Sequence, residues 1–346
     1  MAAPKGTIAL EEAVVNPDDL DFLADVASMY APGASATDSS KHHALTQKLA
    51  DIHDERLRQM DAEGVEYMLL SITAPGCQGV TDPARAQSLA TKSNDWLAAE
   101  VARNPARFGA LASLSMHSGA EAAAELQRAV RDLGMFGALL NNYQSVGADG
   151  RGKRFYDTPD YHVFWETVQE LDVPVYMHPS YPTSGDLNSP ESQYGPRTHL
   201  LGAAVQFHLD LSFHLYALAS SGIFDLYPRV QVVAGHLGEG IPFNLWRANH
   251  WYNKPVKRAT RPSKEDYGYY FKHNISITTS GFYSTQGLKF CIGEIGVDRC
   301  MYSIDYPYDT IKEAQDWWKG LDLPEDQKVA VARQNAIRLF KLPLEL

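Results

Sequence analysis

Eight short, β-rich runs alternate with longer helical patterns, and this alternation constrains the fold more than any other feature. Several of the runs are continuously apolar, as is typical of strands that are covered on both faces. The alternation predicts an α/β fold, a closed (β/α)8 TIM barrel of parallel strands. The predicted strands are Thr7–Leu10, Glu66–Ile72, Phe108–Leu114, Gly134–Leu140, Val173–His178, Val230–His236, Ile275–Thr279 and Cys300–Ile304.

The alternative is an open, doubly wound sheet. That fold usually carries a glycine-rich phosphate loop after its first strand, whereas here the first predicted strand runs into Glu11-Glu12-Ala13. Predicted helices separate the strands, and some begin at a residue suited to cap a helix. Asp82 is such a cap, followed by Pro83 at the first helical position, and Asp322 is another, shortly before Pro324. The predicted helices are Asp82–Asn104, Ser118–Leu133, Pro159–Leu171, Leu200–Ser221 and Glu325–Phe340.

Three stretches are too long and too polar to be tight barrel turns. They are rich in Gly, Ser, Pro and Asp, and long loops in compact domains are often functional lids. We therefore predict a single (β/α)8 barrel domain over residues 1–346, with these stretches as active-site loop insertions. They are Ala31–His43, Asn142–Arg154 and Ser180–Pro196.

The charge and the cysteine content exclude several classes of function. A formal net charge of −11 argues against nucleic acid or an anionic membrane as a partner, because both require a basic surface. It does not argue against a small anionic substrate, since a bound metal ion can reverse the local field. Three widely spaced cysteines predict neither a disulfide framework nor a thiolate zinc site. We see no signal peptide and no membrane span, and predict a cytoplasmic protein.

Ionisable residues stand at the ends of four predicted strands. Glu11 follows the first strand, His178 ends the fifth, His236 ends the sixth and Asp305 follows the eighth. The active site of an α/β barrel lies at the C-terminal ends of its strands. We therefore expect these four side chains to project into one mouth.

Glu11, His178 and Asp305 are the predicted metal ligands. Two carboxylates and one imidazole suit a divalent cation of intermediate hardness and leave positions open for water and substrate. His236 and Glu239 are three residues apart. If a helix starts after Gly238, the carboxylate can fix the imidazole tautomer, so we predict that the pair is catalytic as a proton relay.

Each of these residues alone also has a structural interpretation. A histidine at a strand end is often a hydrogen-bonded core residue. A glutamate after a strand is usually solvated. Asp305 could cap the following turn, and Glu239 could interact with a helix dipole. The coincidence of four such residues at four strand ends favours the functional interpretation.

Other residues near strand ends are candidates for substrate binding. Thr73, Ala74 and Pro75 follow the second strand, and Asn141 follows the fourth. Phe282 and Tyr283 follow the seventh strand and are the aromatic candidates for the pocket wall.

Several segments resemble the amidohydrolase-related decarboxylases over nearly the whole chain. They are Ala9-Leu10-Glu11-Glu12, Ser71-Ile72-Thr73-Ala74-Pro75-Gly76, Met177-His178-Pro179, Gly235-His236-Leu237-Gly238-Glu239-Gly240, Ser303-Ile304-Asp305-Tyr306-Pro307 and Asn335-Ala336-Ile337-Arg338-Leu339-Phe340. The resemblance implies a (β/α)8 barrel and one divalent metal on Glu11, His178 and Asp305. It also implies His236 and Glu239 as a catalytic pair and a homo-oligomer, a dimer or tetramer.

One position departs from many members of that family. They carry a histidine two residues after the first acidic residue, where this chain has Ala13. The site is then richer in oxygen, which favours Mg²⁺ or Mn²⁺ over Zn²⁺. Such a change is expected in the 2,3-dihydroxybenzoate branch of the family. We therefore predict non-oxidative, reversible conversion of 2,3-dihydroxybenzoate to catechol and CO₂, with γ-resorcylate or salicylate as alternative substrates.

The chemistry of that reaction requires an ortho hydroxyl. Direct loss of CO₂ would leave an aryl anion without π-stabilisation, so the carbon that bears the carboxylate is protonated first. Either Asp305 or the pair of His236 and Glu239 could deliver the proton, and the sequence leaves both possible. Two other classes also stay open: a metal-dependent lactone or amide hydrolase, in which a metal-bound hydroxide attacks, and a barrel that binds a ligand without turnover.

Overall fold

Parallel strands pair in a continuous order that closes around one axis. The computed structural model describes residues 6–20, 39–148, 151–183, 186–187, 193–194 and 197–346. Strand β1 pairs with β2 and β2 with β3, and a second run of parallel pairs joins β4, β5, β8, β9, β10 and β11. The strands are β1 (Thr7–Val14), β2 (Val65–Ile72), β3 (Phe108–Ala110), β4 (Ala112–Ser113), β5 (Ala138–Asn141), β6 (Gln144–Val146), β7 (Gly152–Arg154), β8 (Val175–His178), β9 (Val232–Ala234), β10 (Ile275–Thr278) and β11 (Cys300–Met301).

Two junctions complete the barrel. Strands β3 and β4 are separated by Leu111 alone and together form one stave. At the other junction the Ser303 hydroxyl, just after β11, accepts hydrogen bonds from the backbone N–H groups of Leu10 and Glu11 in β1, both at 3.0 Å. The predicted (β/α)8 barrel is confirmed, and the doubly wound alternative is wrong.

Helices follow the strands and cover the outside of the barrel. The predicted cap Asp82 accepts a hydrogen bond from the Arg85 backbone N–H at 2.7 Å. The helices are α1 (Ser39–Ala50), α2 (Glu55–Glu63), α3 (Pro83–Arg103), α4 (Gly119–Arg131), α5 (His162–Leu171), α6 (Gln206–Ser220), α7 (Ile223–Leu226), α8 (Ile241–Tyr252), α9 (Pro255–Thr260), α10 (Tyr267–His273), α11 (Thr285–Ile295), α12 (Ile311–Lys319), α13 (Glu325–Val329) and α14 (Asn335–Phe340). Among the described residues, no helix has the length and apolar character that a membrane crossing needs.

Several predicted boundaries were wrong. The strand predicted from Gly134 begins only at Ala138. Just before it, Gly137 has φ 144°, and a Cβ there would lie 2.2 Å from the Pro174 carbonyl oxygen. The predicted cap Asp322 does not cap α13, which follows Pro324 directly. A π-helical turn, Ala330–Gln334, separates α13 from α14 within the long helix predicted there.

The three predicted loops have different outcomes. Residues 31–38 of the first lie outside the described residues, and Ser39–His43 already belong to α1. The second contains the antiparallel hairpin of β6 and β7. Of the third, only residues 180–183, 186–187 and 193–194 are described.

Side chains from alternate strand positions fill the interior of the barrel. Removing such apolar side chains from water stabilises the fold by about 1.5–3 kcal/mol each. Residues of α14 close the end of this inner core that lies opposite the predicted site. The inner core comprises Ile8, Leu10, Tyr67, Leu69, Leu111, Leu139, Tyr176, Val233 and Met301, with Ala336, Ile337 and Phe340 from α14.

Candidate metal and active site

Four predicted site residues come together at the C-terminal end of the barrel. The Glu11 Oε1 atom lies 3.3 Å from His178 Nε2 and 3.5 Å from His236 Nε2. The Asp305 Oδ2 atom lies 3.9 Å from His236 Nε2. Glu11, His236 and Asp305 each offer a ligand atom within 4.8 Å of the others. His236 therefore belongs to the group whose ligand atoms all lie within this distance, whereas the predicted ligand His178 lies near Glu11 and is not a member of that group.

A β-bulge aims Glu11 into the barrel. Between Ala9 and Glu12 the register of β1 against β2 shifts by one residue. The adjacent N–H groups of Leu10 and Glu11 both bind the Ser303 hydroxyl there, as noted above. A bulge interrupts the alternation of faces along a strand. Leu10 consequently belongs to the inner core while Glu11, the next residue, also reaches the mouth.

The two oxygens of the buried Glu11 carboxylate have different surroundings. The Tyr176 hydroxyl donates a hydrogen bond to Oε2. The other oxygen, Oε1, has no hydrogen-bond partner among the described residues. Burial raises the pKa of Glu11, while the two imidazoles lower it. A buried oxygen without a donor is costly, and a cation held between this oxygen and the imidazoles would remove that cost.

His178 has the surroundings of a neutral metal ligand. Its Nδ1 lies 2.7 Å from the Pro179 carbonyl oxygen. A carbonyl oxygen only accepts, so Nδ1 carries the proton and Nε2 presents its lone pair toward Glu11. Burial lowers the pKa of His178, which favours the neutral imidazole.

His236 is held by a buried carboxylate. Its Nδ1 lies 2.7 Å from Glu239 Oε1, as the spacing predicted. Burial lowers the pKa of His236, but the charges of Glu239 and Glu11 outweigh burial and hold this pKa well above 6.5. The imidazole can therefore carry a second proton.

The backbone that joins His236 to Glu239 differs from the predicted helix start. His236, Leu237, Gly238 and Glu239 have φ values of 50°, 53°, 73° and 56°, so the segment is a left-handed turn. Three of these residues are not glycine, and left-handed backbone costs roughly 1–2 kcal/mol for each of them. Helix α8 begins only at Ile241.

Asp305 completes the cluster from a loop after β11. Its backbone is also left-handed, with φ 78°, a region that aspartate tolerates better than most residues. Its carbonyl oxygen accepts a hydrogen bond from the Asp309 N–H at 2.9 Å. Burial raises the pKa of Asp305, and the nearby His236 imidazole lowers it.

A cavity of about 540 Å³ opens next to this cluster. The aromatic side chains of Phe207, Phe282 and Tyr308 line it, which suits a flat aromatic ligand. Phe282, one predicted wall residue, is 45% exposed and lines it. The lining residues are Ala203, Ala204, Phe207, His208, His236, Glu239, Gly240, Gly281, Phe282, Asp305, Tyr308 and Asp309.

The other predicted substrate residues lie in different places. Thr73 and Ala74 line a small recess next to Glu11, His178 and Asp305. Pro75 does not line that recess but borders a separate small pocket.

The side chains of Asn141 and Tyr283 donate hydrogen bonds to backbone carbonyl oxygens of the protein. Asn141 is buried, and its Nδ2 donates to the Pro75 carbonyl oxygen at 3.0 Å. The prediction for Tyr283 is not supported, because its hydroxyl donates to the Ile304 carbonyl oxygen at 2.6 Å and its ring lies 5.6 Å from that of Trp317.

Sequence reasoning missed several residues of the site. Phe207, Tyr308 and Asp309 line the cavity, and Tyr176 binds Glu11 from below. His208 also lines the cavity.

Behind the cluster, Glu12 forms a second buried carboxylate site. Its oxygens accept hydrogen bonds from the Ser303 hydroxyl at 3.0 Å and from the backbone N–H groups of Ile304 at 3.1 Å and Tyr306 at 3.0 Å. Burial raises the pKa of Glu12 to about 8, against the two backbone bonds and the charge of Arg56. This carboxylate fixes the loop that carries Asp305.

Comparison with known proteins agrees with this geometry. The family model Amidohydrolase matches residues 39–342. Gamma-resorcylate decarboxylase of Rhizobium radiobacter is 41% identical over 339 residues, which cover 98% of this chain and 99% of that protein. The chain therefore belongs to the amidohydrolase family, within its group of amidohydrolase-related decarboxylases.

Solved structures show the same similarity. The crystal structure of 2,6-dihydroxybenzoate decarboxylase from Rhizobium is 39% identical, with a TM-score of 0.88, over 98% of this chain and 99% of that one. A dihydroxybenzoic acid decarboxylase from Polaromonas sp. JS666, with bound manganese and the inhibitor 2-nitroresorcinol, is 37% identical. Its TM-score is 0.88 over 99% of this chain and 98% of that one.

Proposed function

We propose that the protein is a carboxy-lyase that removes CO₂ from an ortho-hydroxybenzoic acid without oxidation, with 2,6-dihydroxybenzoate (γ-resorcylate) as the preferred substrate. The central observation is the buried Glu11 oxygen that lies between two imidazoles, has no hydrogen-bond donor among the described residues and stands beside a cavity lined by aromatic side chains. Two of the relatives described above are named as decarboxylases of γ-resorcylate or 2,6-dihydroxybenzoate. Their names favour the alternative substrate over the 2,3-dihydroxybenzoate that the sequence predicted.

We assign one divalent ion, with Mn²⁺ as the first choice, to Glu11, His178 and Asp305. The mixture of carboxylate oxygens and a single imidazole suits Mn²⁺. The Polaromonas relative holds manganese. A bound divalent ion supplies positive charge that attracts and orients the carboxylate and the ortho oxygen of the substrate.

The protein side chains then hold the ring and move the proton. Phe207, Phe282 and Tyr308 enclose the flat ring, which keeps its orientation. A proton is added to the ring carbon that bears the carboxylate. The bond from that carbon to CO₂ breaks next, and its electron pair restores the aromatic ring. The proton comes from one of the two acids beside the cavity, Asp305 or the pair of His236 and Glu239.

A side-by-side assay tests this function. The protein is loaded with Mn²⁺ and supplied with 2,6-dihydroxybenzoate, 2,3-dihydroxybenzoate or salicylate, and CO₂ and the phenolic product are quantified. We expect kcat/KM for 2,6-dihydroxybenzoate to be at least about tenfold higher than for the other two, since a tenfold ratio needs only about 1.4 kcal/mol of differential stabilisation. Chelation should abolish turnover, and added Mn²⁺ should restore it.

The assay also addresses the alternatives. No CO₂ from any of the three acids, with ring opening of an aryl lactone instead, would replace the proposal with the hydrolase. Unchanged turnover after complete metal removal would exclude the metal-dependent scheme. The predicted homo-oligomer and cytoplasmic location stay predictions.

A further inference from the structure

Tyr176 lies directly below the candidate metal site. It precedes His178 by two residues in β8, so both side chains point into the barrel. Tyr176 is fully buried in the inner core. Its hydroxyl contacts Glu11 Oε2 and lies 2.6 Å from the Thr278 hydroxyl in β10. One phenol therefore connects three strands of the barrel.

The direction of these hydrogen bonds follows from the donors available. The phenol has one proton, and an ionised Glu11 carboxylate can only accept it. The Thr278 hydroxyl must then donate to the Tyr176 oxygen. The chain of hydrogen bonds runs from Thr278 through Tyr176 to Glu11.

This chain occupies one of the two Glu11 oxygens. Gly235 borders the same oxygen so closely that a Cβ at position 235 would lie 2.5 Å from Oε2. The carboxylate is thereby held from below and from the side. Only Oε1 is directed toward His178 and His236.

We propose that Tyr176, oriented by Thr278, is a positioning residue that makes Glu11 a metal ligand through one oxygen only. The second oxygen is withheld from the ion, which leaves coordination positions free for the two substrate oxygens. This inference rests on the metal site of the proposed function. Residues that orient a metal ligand typically change metal affinity by 10–100-fold when they are replaced.

The test measures Mn²⁺ binding without substrate. Titrations followed by electron paramagnetic resonance give the Mn²⁺ Kd of the wild type and of Tyr176→Phe, which keeps the ring and removes the hydroxyl. We expect the Kd to rise about tenfold in Tyr176→Phe. Thr278→Val should change the Kd in the same direction by a smaller factor, and Thr278→Ser, which keeps the hydroxyl, should restore it.

Tyr67→Phe is the matched control. Tyr67 belongs to the same inner core and pairs with Ile8, three residues before Glu11. Its replacement should leave the Mn²⁺ Kd unchanged. Circular dichroism is used to check that each variant is folded. If Tyr176→Phe does not fold, the Mn²⁺ Kd of Thr278→Val tests the proposal instead.

The possible outcomes separate the inference from the proposed function. A wild type that binds no Mn²⁺ overturns both. A wild type that binds Mn²⁺ and releases CO₂, beside a folded Tyr176→Phe or Thr278→Val whose Kd stays within twofold, overturns the positioning role alone. A Kd raised equally in Tyr67→Phe would also overturn it, because the effect would then be a general one of the inner core.

Discussion

Two adjacent glutamates at the end of β1 are both buried but have opposite surroundings. Glu12, on the outer side, receives hydrogen bonds on both oxygens from Ser303 and the backbone of the next loop, and it lies near Arg56. Glu11, on the inner side, has one oxygen with no donor among the described residues. Protein atoms satisfy the outer carboxylate completely, so its role is structural. The inner carboxylate is left to bind something that the protein does not supply.

The bulge in β1 produces this difference. Strict alternation after Leu10 would have placed Glu12 inside the barrel and Glu11 outside. The extra residue exchanges their positions. If Glu11 is functional and Glu12 is structural, substitutions around Glu11 should alter activity and metal binding. Substitutions around Glu12 should alter the free energy of unfolding.

The largest effect is expected on the inner side, for Asp305→Asn. The substitution keeps the shape but removes a charge from the cluster and a proton donor from the cavity. We expect kcat/KM for the best substrate to fall on the order of 10³-fold, as for the loss of a major electrostatic group. The thermal midpoint of the metal-free protein should stay close to that of the wild type. Near-normal turnover would show that the inner carboxylates are not functional.

The next effect belongs to the outer side, for Arg56→Met. The Arg56 guanidinium is buried, donates to the Ala13 carbonyl oxygen at 2.6 Å and lies 4.7 Å from the Tyr306 ring centre. Its loss removes the hydrogen bonds that the guanidinium donates to the carbonyl oxygens of Ala13 and Asp51. We expect the free energy of unfolding in urea to fall by about 3 kcal/mol, because these acceptors lose their donors. The Mn²⁺ Kd of the folded variant should not change.

A surface variant provides the control for that measurement. Arg58 lies on the same helix, pairs with Glu55, and its side chain is 73% exposed. Arg58→Met should therefore change the unfolding free energy by less than about 1 kcal/mol. Equal losses of unfolding free energy for Arg56→Met and Arg58→Met would show that the buried Arg56 contributes no more to stability than a residue on the surface.

The last effect appears only at acid pH and concerns His214, a buried histidine that protein atoms satisfy, in contrast to His178 and His236. Its Nε2 accepts from the Tyr156 N–H at 3.2 Å, and its Nδ1 lies 3.1 Å from Asn142 Oδ1. Burial lowers the pKa of His214 from 6.5 to about 4. The unfolded chain therefore takes up the proton first, and the stability that His214 contributes above pH 6.5 is lost as the pH falls toward 4.

Unfolding titrations between pH 7 and pH 4 measure this loss. The free energy of unfolding of the wild type should fall more steeply than that of His214→Gln, by up to about 1.4 kcal/mol per pH unit. Parallel curves would show that His214 stays charged in the folded protein or is not buried in solution.

The sequence was sufficient to predict the cluster because parallel barrel strands bring their C-terminal ends together. Glu11, His178, His236 and Asp305 meet for that reason. The contact between His236 and Glu239 was also predictable from their spacing, although the predicted helical backbone was wrong. Local sequence patterns therefore determined which side chains share the mouth.

The rest depends on tertiary structure that local patterns do not encode. The bulge at Glu11 requires the Ser303 hydroxyl from a segment almost 300 residues away. The cavity walls Phe207 and Tyr308 come from a helix and a loop whose directions are set by packing. Tyr283 follows the same strand as Phe282 but turns its hydroxyl toward the backbone, which residue type alone does not predict.

The left-handed turn from His236 to Glu239 has a consequence for engineering a more heat-resistant enzyme. Replacing a residue in left-handed backbone with glycine removes the strain of its Cβ atom. Here only Leu237 is open to that exchange, because His236 and Glu239 carry the side chains of the proposed proton relay. At two of the three strained positions, a substitution that raises thermal stability would therefore lower turnover. Stabilising substitutions are better placed elsewhere in the barrel.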